Sequence, residues 1–185
     1  MPALRSDAAR SRAKILEAAR GCPLDDLRLN EVARAAGVGV GTVYRHFPTV
    51  TALIEALSFD ALEQTVDLAR TAAEEPDAGR GFVRFLRGAV RTQLEHEGLQ
   101  QMWFADDVSA EARALRAELF DRAGALLDAA VAAGAVRPDL SIGQVQRLVC
   151  GVEHAVRLGN GEDQDLLLDI MLSGLAPPRD DRPAP

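Results

Sequence analysis

Four side chains able to hydrogen-bond or carry charge crowd into one short stretch: Thr42, Tyr44, Arg45 and His46. A hydroxyl, a phenol, a guanidinium and an imidazole suit phosphate oxygens and base edges. Arg45 can reach either a phosphate or the two acceptors of guanine, and Tyr44 can donate one bond while packing its ring on a sugar. Nothing around them points to bond-breaking chemistry. No Ser-His-Asp arrangement is suggested by local sequence, so no catalytic residue is assigned. Cys22 and Cys150 give no disulfide framework and read as packing residues in a reducing setting. His46, His96 and His154 are too widely spaced for a metal, and no cofactor is expected. The run Gly37-Val38-Gly39-Val40-Gly41 follows a helix rather than a strand, which removes a dinucleotide loop.

The elements that must hold these groups are helices. Leu29, Val32, Ala33 and Ala36 fall at i, i+3, i+4 and i+7, one buried face of a helix over 29–36. Gly37 follows as a left-handed cap. A second short helix fits 40–47, with Val43 and Phe47 facing inward and Pro48 ending it. Two short helices around a glycine-containing turn make a helix-turn-helix. Before them, Ile15, Leu16 and Ala19 mark a helix over 7–20, with Asp7 placed to cap it or to favour its dipole and Gly21-Cys22-Pro23 stopping it.

The segment Glu31-Val32-Ala33-Arg34-Ala35-Ala36-Gly37-Val38-Gly39-Val40-Gly41-Thr42-Val43-Tyr44-Arg45-His46-Phe47 resembles the signature of the TetR family of repressors. Weaker likeness extends through Ile15 to Ala19 and Leu53 to Leu57. The resemblance implies an all-α protein with a small DNA-binding head and a larger helical body. In that family the body usually dimerises through its last two long helices and usually encloses a pocket for a small effector. Binding of the effector moves the two heads and releases the operator. The resemblance places Thr42, Tyr44 and His46 at DNA, the last two more at phosphates. It places Val40, Gly41 and Arg45 where base edges are approached, and Arg28 where the backbone is met. Three departures stand out. Val50 occupies a common lysine position, the segment before Glu31 is about four residues short, and Gly21-Cys22-Pro23 replaces an apolar-aromatic pair.

Beyond Pro48, six further helices are expected, over 50–73, 80–94, 99–104, 109–133, 141–158 and 162–175, which makes nine in all. Residues 1–48 are then the DNA-binding head, 49–176 the effector-binding and dimerisation body, and 177–185, with four prolines, a disordered tail. Phe85, Trp103 and Phe104 are expected to wall the effector pocket, with His96 as a polar contact. The stripe Val145, Leu148, Val149, Val152 and Val156, joined by Leu167, Ile170 and Met171, serves either an internal core or a four-helix interface between two copies.

Composition fits this reading. Apolar residues make up 48% and aromatics only 4%, so Leu, Val and Ala must build the core. The net charge of -7 opposes nucleic acid, but its distribution matters more. Residues 1–55 carry eight basic and six acidic side chains, whereas 56–185 carry thirteen and twenty-two. No apolar run approaches membrane-spanning length, and the N-terminus lacks a signal-peptide core, so a cytoplasmic protein is expected. Its partners are a double-stranded operator, a second copy of the chain and an unidentified small molecule. The competing reading is a helical ligand-binding or protein-interaction module with weak or lost operator binding, suggested by the acidic body, Val50 and the shortened segment.

Overall fold

The structure is a computed structural model that describes residues 2–159 and 161–177, leaving aside the side chains of 2–6, 25 and 104. All but Pro177 of the expected tail therefore lies outside the described residues. Among the described residues nine α-helices follow in order: α1 Pro2–Arg20, α2 Leu29–Ala36, α3 Val40–His46, α4 Val50–Ala72, α5 Ala78–Glu95, α6 Leu99–Phe104, α7 Ala110–Ala132, α8 Ile142–Leu158 and α9 Gln164–Leu175. One 3-10 turn, Leu24–Asp26, separates α1 from α2. Among the described residues there is no strand.

The helix limits follow local chemistry. α1 starts five residues earlier than its apolar pattern required, so Asp7 is not its cap; it pairs instead with Arg10 at 3.2 Å. Thr49 receives the Ala52 N–H at 3.0 Å and opens α4. Ser109 does the same for Ala112 at α7. Ser141 and Gln144 form a reciprocal capping box at α8. Gly37 ends α2 at φ 63°, a conformation that costs other residues but not glycine.

The chain divides into two compact units. The first comprises 1–60 with 96–113. Its main core joins α1, α2, α3 and the start of α4 through Ile15, Val32, Val43, Phe47 and Leu53, all buried. Each such side chain contributes roughly 1.5–3 kcal/mol by leaving water. The short segment before α2 closes this core through fully buried Leu27, with Cys22 and Leu24 partly buried against it. Cys22, part of the Gly-Cys-Pro departure, thus packs on the head core itself. A smaller cluster joins Met102, Val108 and Ala112, with Phe59 and Ala105 against it. Gly98 permits the approach to α4, since a Cβ there would stand 2.5 Å from the Ser58 hydroxyl.

The second unit comprises 61–95 with 114–185. Phe82, Phe85, Leu86 and Val90 fill the buried side of α5, which packs on α8, and α8 packs on α9. Arg157 of α8 pairs with the buried Glu153 and donates to the Gln93 carbonyl of α5 at 2.8 Å. On the outside, Glu118 of α7 accepts from Arg70 of α4 at 2.6 Å and from Arg122 at 2.8 Å.

Candidate DNA-binding interface

α3 has seven residues, and its two sides differ sharply. Val43 points inward with no exposure, and Phe47, which caps the helix, is 3% exposed. Both are held by α1 and α2. The guanidinium of Arg12 lies over the Phe47 ring, 5.5 Å from its centroid. Gly39 is the N-cap, and its carbonyl accepts from the Thr42 N–H at 2.8 Å. α3 is thereby fixed without using its outward side chains.

That outward side carries Val40, Gly41, Tyr44 and Arg45, all exposed. Val40 and Tyr44 are 46% and 47% exposed, which is unusual for large apolar side chains inside a well-packed unit. Thr42 and His46 are half-buried at the edges, with the His46 ring 6.2 Å from that of Phe47. A Cβ added at Gly41 would meet nothing within 4 Å. Helix crossing therefore does not explain Gly41; it leaves bare backbone on the open side.

Arg28 is the N-cap of α2, and its guanidinium donates to the Leu27 carbonyl at 3.2 Å. Val50 is half-buried against the head core, so its side chain serves packing where a cation was missed. On α2, Arg34 pairs with Glu31 at 2.5 Å.

The sequence profile described as bacterial regulatory proteins, tetR family, matches residues 15–57. A second, described as transcriptional regulator SbtR-like, C-terminal domain, matches residues 77–177, more than half the chain. The chain belongs to the TetR family of transcriptional regulators. It is a DNA-binding regulator built on a helix-turn-helix, not an enzyme.

A TetR regulatory protein from Mycobacterium vanbaalenii is 33% identical over 94% of this chain and 99% of its own, with a TM-score of 0.48. A TetR regulator from Streptomyces coelicolor is 30% identical over 90% of this chain and 98% of its own, with a TM-score of 0.50. RolR, solved in complex with resorcinol, shares the fold at 20% identity, with 97% of each chain covered and a TM-score of 0.60. No protein of curated description matches the chain in sequence.

The expected effector contacts are distributed between the units. Phe85 is buried in the second, and Trp103 is buried in the first with His96 half-buried there. Phe104 ends α6, with its side chain outside those described. The expected dimer stripe also divides. Val145, Val149 and Val156 are buried within the chain, and Met171 is 8% exposed. Leu148 and Ile170 are 44% and 60% exposed, and with Val152 and Leu167 they line one open groove of about 480 Å³ on α8 and α9. Gly151 and Gly174 lie in the same groove, and a Cβ at either would meet nothing within 4 Å. Among the described residues no helix is long and apolar enough to cross a membrane.

Two features were not read from the sequence. Leu27 in the head core follows a break in periodicity, so no stripe marked it. Thr49, a hydroxyl residue directly before an apolar helical run, was a readable cap signal.

Proposed function

We propose that the chain is a repressor that binds a palindromic operator as a homodimer and is released by a small, mostly apolar effector. The observation that supports this best is the outward face of α3, where Val40, Gly41, Tyr44 and Arg45 stand exposed on a helix whose other side is locked into the core. That face is shaped to enter a major groove. Tyr44 and His46 position the backbone, aided by Arg28, while Thr42 and Arg45 contribute sequence choice beside Val40 and Gly41. Residues 1–48 then act as the head, and 49–176 carry effector binding and dimerisation in the cytoplasm.

Two heads are needed to reach two half-sites, and the open apolar groove of α8 and α9 supplies a surface for an isologous pair. Leu148, Val152, Leu167, Ile170 and Met171 make the contact, with the glycines admitting close approach; Val145, Val149 and Val156 back it from inside. Phe85, His96, Trp103 and Phe104 are each proposed as effector contacts in their own right. The resorcinol held by RolR is a small aromatic of the class intended.

The test is a gel shift of the whole chain with the upstream region of its own gene. A retained, sequence-specific complex at micromolar protein or tighter is expected, with two chains per site. Equal binding to unrelated duplex, or none, overturns the operator reading in favour of a ligand-binding or interaction module.

A further inference from the structure

A second cavity, of about 680 Å³, opens along α5 within the second unit, beside the α7–α8 connection and α9. Its size is that of an ordinary small-molecule site. Its walls divide by chemistry: Leu68, Val136 and Leu172 are apolar, Arg84, Arg87 and Arg91 bring positive charge, and the one carboxylate among the described lining residues, Asp77, is paired with Arg80 at 3.7 Å. With Arg80, these arginines follow a spacing of four, three and four residues, which sets them along one face of α5. From Arg80 to Arg91 the helix holds no acidic residue.

Arginines at these spacings repel one another, so neighbouring groups must relieve the charge. Arg80 pairs with Glu75 at 3.2 Å and Arg84 with Glu75 at 3.7 Å. Arg84 also donates to the Thr71 carbonyl at 2.6 Å, and Arg87 pairs with Asp169 of α9. Among the described residues Arg91 makes no ion pair. The Arg87–Asp169 pair is solvent-exposed at both ends, so it is weak and can exchange partners, while the Glu75 side chain shared by Arg80 and Arg84 is only 22% exposed. Gly88 lies in the same wall, where a Cβ would stand 2.9 Å from Leu68 Cδ1. The missing side chain leaves Leu68 as an apolar floor between the arginine positions.

We propose that this cavity binds an amphipathic anion, an apolar body ending in a carboxylate or a phosphate. The guanidinium groups take the head through paired N–H donors, with Arg91 as the unneutralised anchor and Arg87 beside it. The apolar walls take the body. None of Phe85, His96, Trp103 or Phe104 lines this cavity, so the site stands independently of the effector contacts proposed above.

The test is isothermal titration of the whole chain with decanoate, decyl phosphate and decanol, each below its micellar concentration. One of the two anions should bind at one per chain and about tenfold or more tighter than decanol, because only the charged head engages the arginines. Whichever anion leads identifies the head group. Arg91→Gln and the double variant R87Q/R91Q should remove that preference while retaining the circular dichroism spectrum of the parent. Leu172→Glu, which places a carboxylate in the wall, should also abolish anion binding. Decanol binding as tightly as both anions overturns the proposal. So does full anion affinity in R87Q/R91Q.

Discussion

The Arg12 guanidinium of α1 sits over the ring of Phe47, the residue that ends α3. A helix outside the helix-turn-helix thus clamps the end of the outward-facing helix. The ring itself is buried against the head core. Arg12→Ala should destabilise the head by about 0.5–1 kcal/mol, the scale of an exposed cation–π contact. Phe47→Ala should cost about 3–5 kcal/mol through a cavity. Thermal unfolding of both variants checks the ranking; equal losses would mean that Arg12 acts through more than the ring.

Gly41 offers a separation of folding from DNA binding. Nothing lies within 4 Å of a Cβ there, so alanine fits the folded chain without a clash. Gly41→Ala should raise stability by up to roughly 0.5–1 kcal/mol, because glycine loses more backbone freedom in a helix. It should nevertheless weaken operator affinity, since the methyl group stands between bare backbone and the groove. Melting temperature and gel shift, measured together, should move in opposite senses.

Val50 and Arg45 test how the head divides its contacts. Val50→Lys can leave its stem on the head core and extend its ammonium to solvent. Binding to matched and unrelated duplexes should tighten by similar factors, and the salt slope should steepen by about 0.9 per added phosphate contact. Arg45→Ala should instead flatten preference at one base position in each half-site, by roughly 1–3 kcal/mol of discrimination. Titration of both variants over a salt series decides this. A uniform loss for Arg45→Ala makes it a backbone contact.

Ile170 is 60% exposed in the single chain, so a polar substitution there spares the core. Ile170→Glu should bury a charge in the α8–α9 seam and shift sedimentation from about twice 19.8 kDa to the mass of one chain. Operator affinity should fall with it. A dimer that survives this change is built elsewhere.

Glu118 should make the second unit acid-sensitive. Hydrogen bonds from Arg122 and then Arg70 hold its carboxyl below the usual carboxylate range. A depressed folded pKa contributes stability above the unfolded pKa, and that contribution is lost as pH falls through the folded value. Because these groups are exposed, the effect is small and should shrink with added salt. Melting curves of the parent and Glu118→Gln should differ near neutral pH and converge in strong acid. A constant difference across pH would assign the loss to packing.

The sequence by itself determined the head. Leu29, Val32 and Ala33 share a helical period, Gly37 demands a left-handed turn, and Val43 and Phe47 can face only inward if Tyr44 and Arg45 face out. These are local constraints, set within a turn or two of helix, and the family signature spans the same residues. Tertiary structure decided the rest. The stripe on α8 divided: Val145, Val149 and Val156 went to the core, while Leu148 was left in the open groove. Periodicity fixes which side chains share a helix face, but a core and an interface ask for the same apolar chemistry. Phe85 and Trp103 read alike as large aromatics, yet they belong to different compact units. The spacing of Arg84, Arg87 and Arg91 was present in the chain from the start. Only packing brought Val136 and Leu172, distant in sequence, to wall a cavity beside them, because the folded path, and not the local period, decides what stands opposite a helix face.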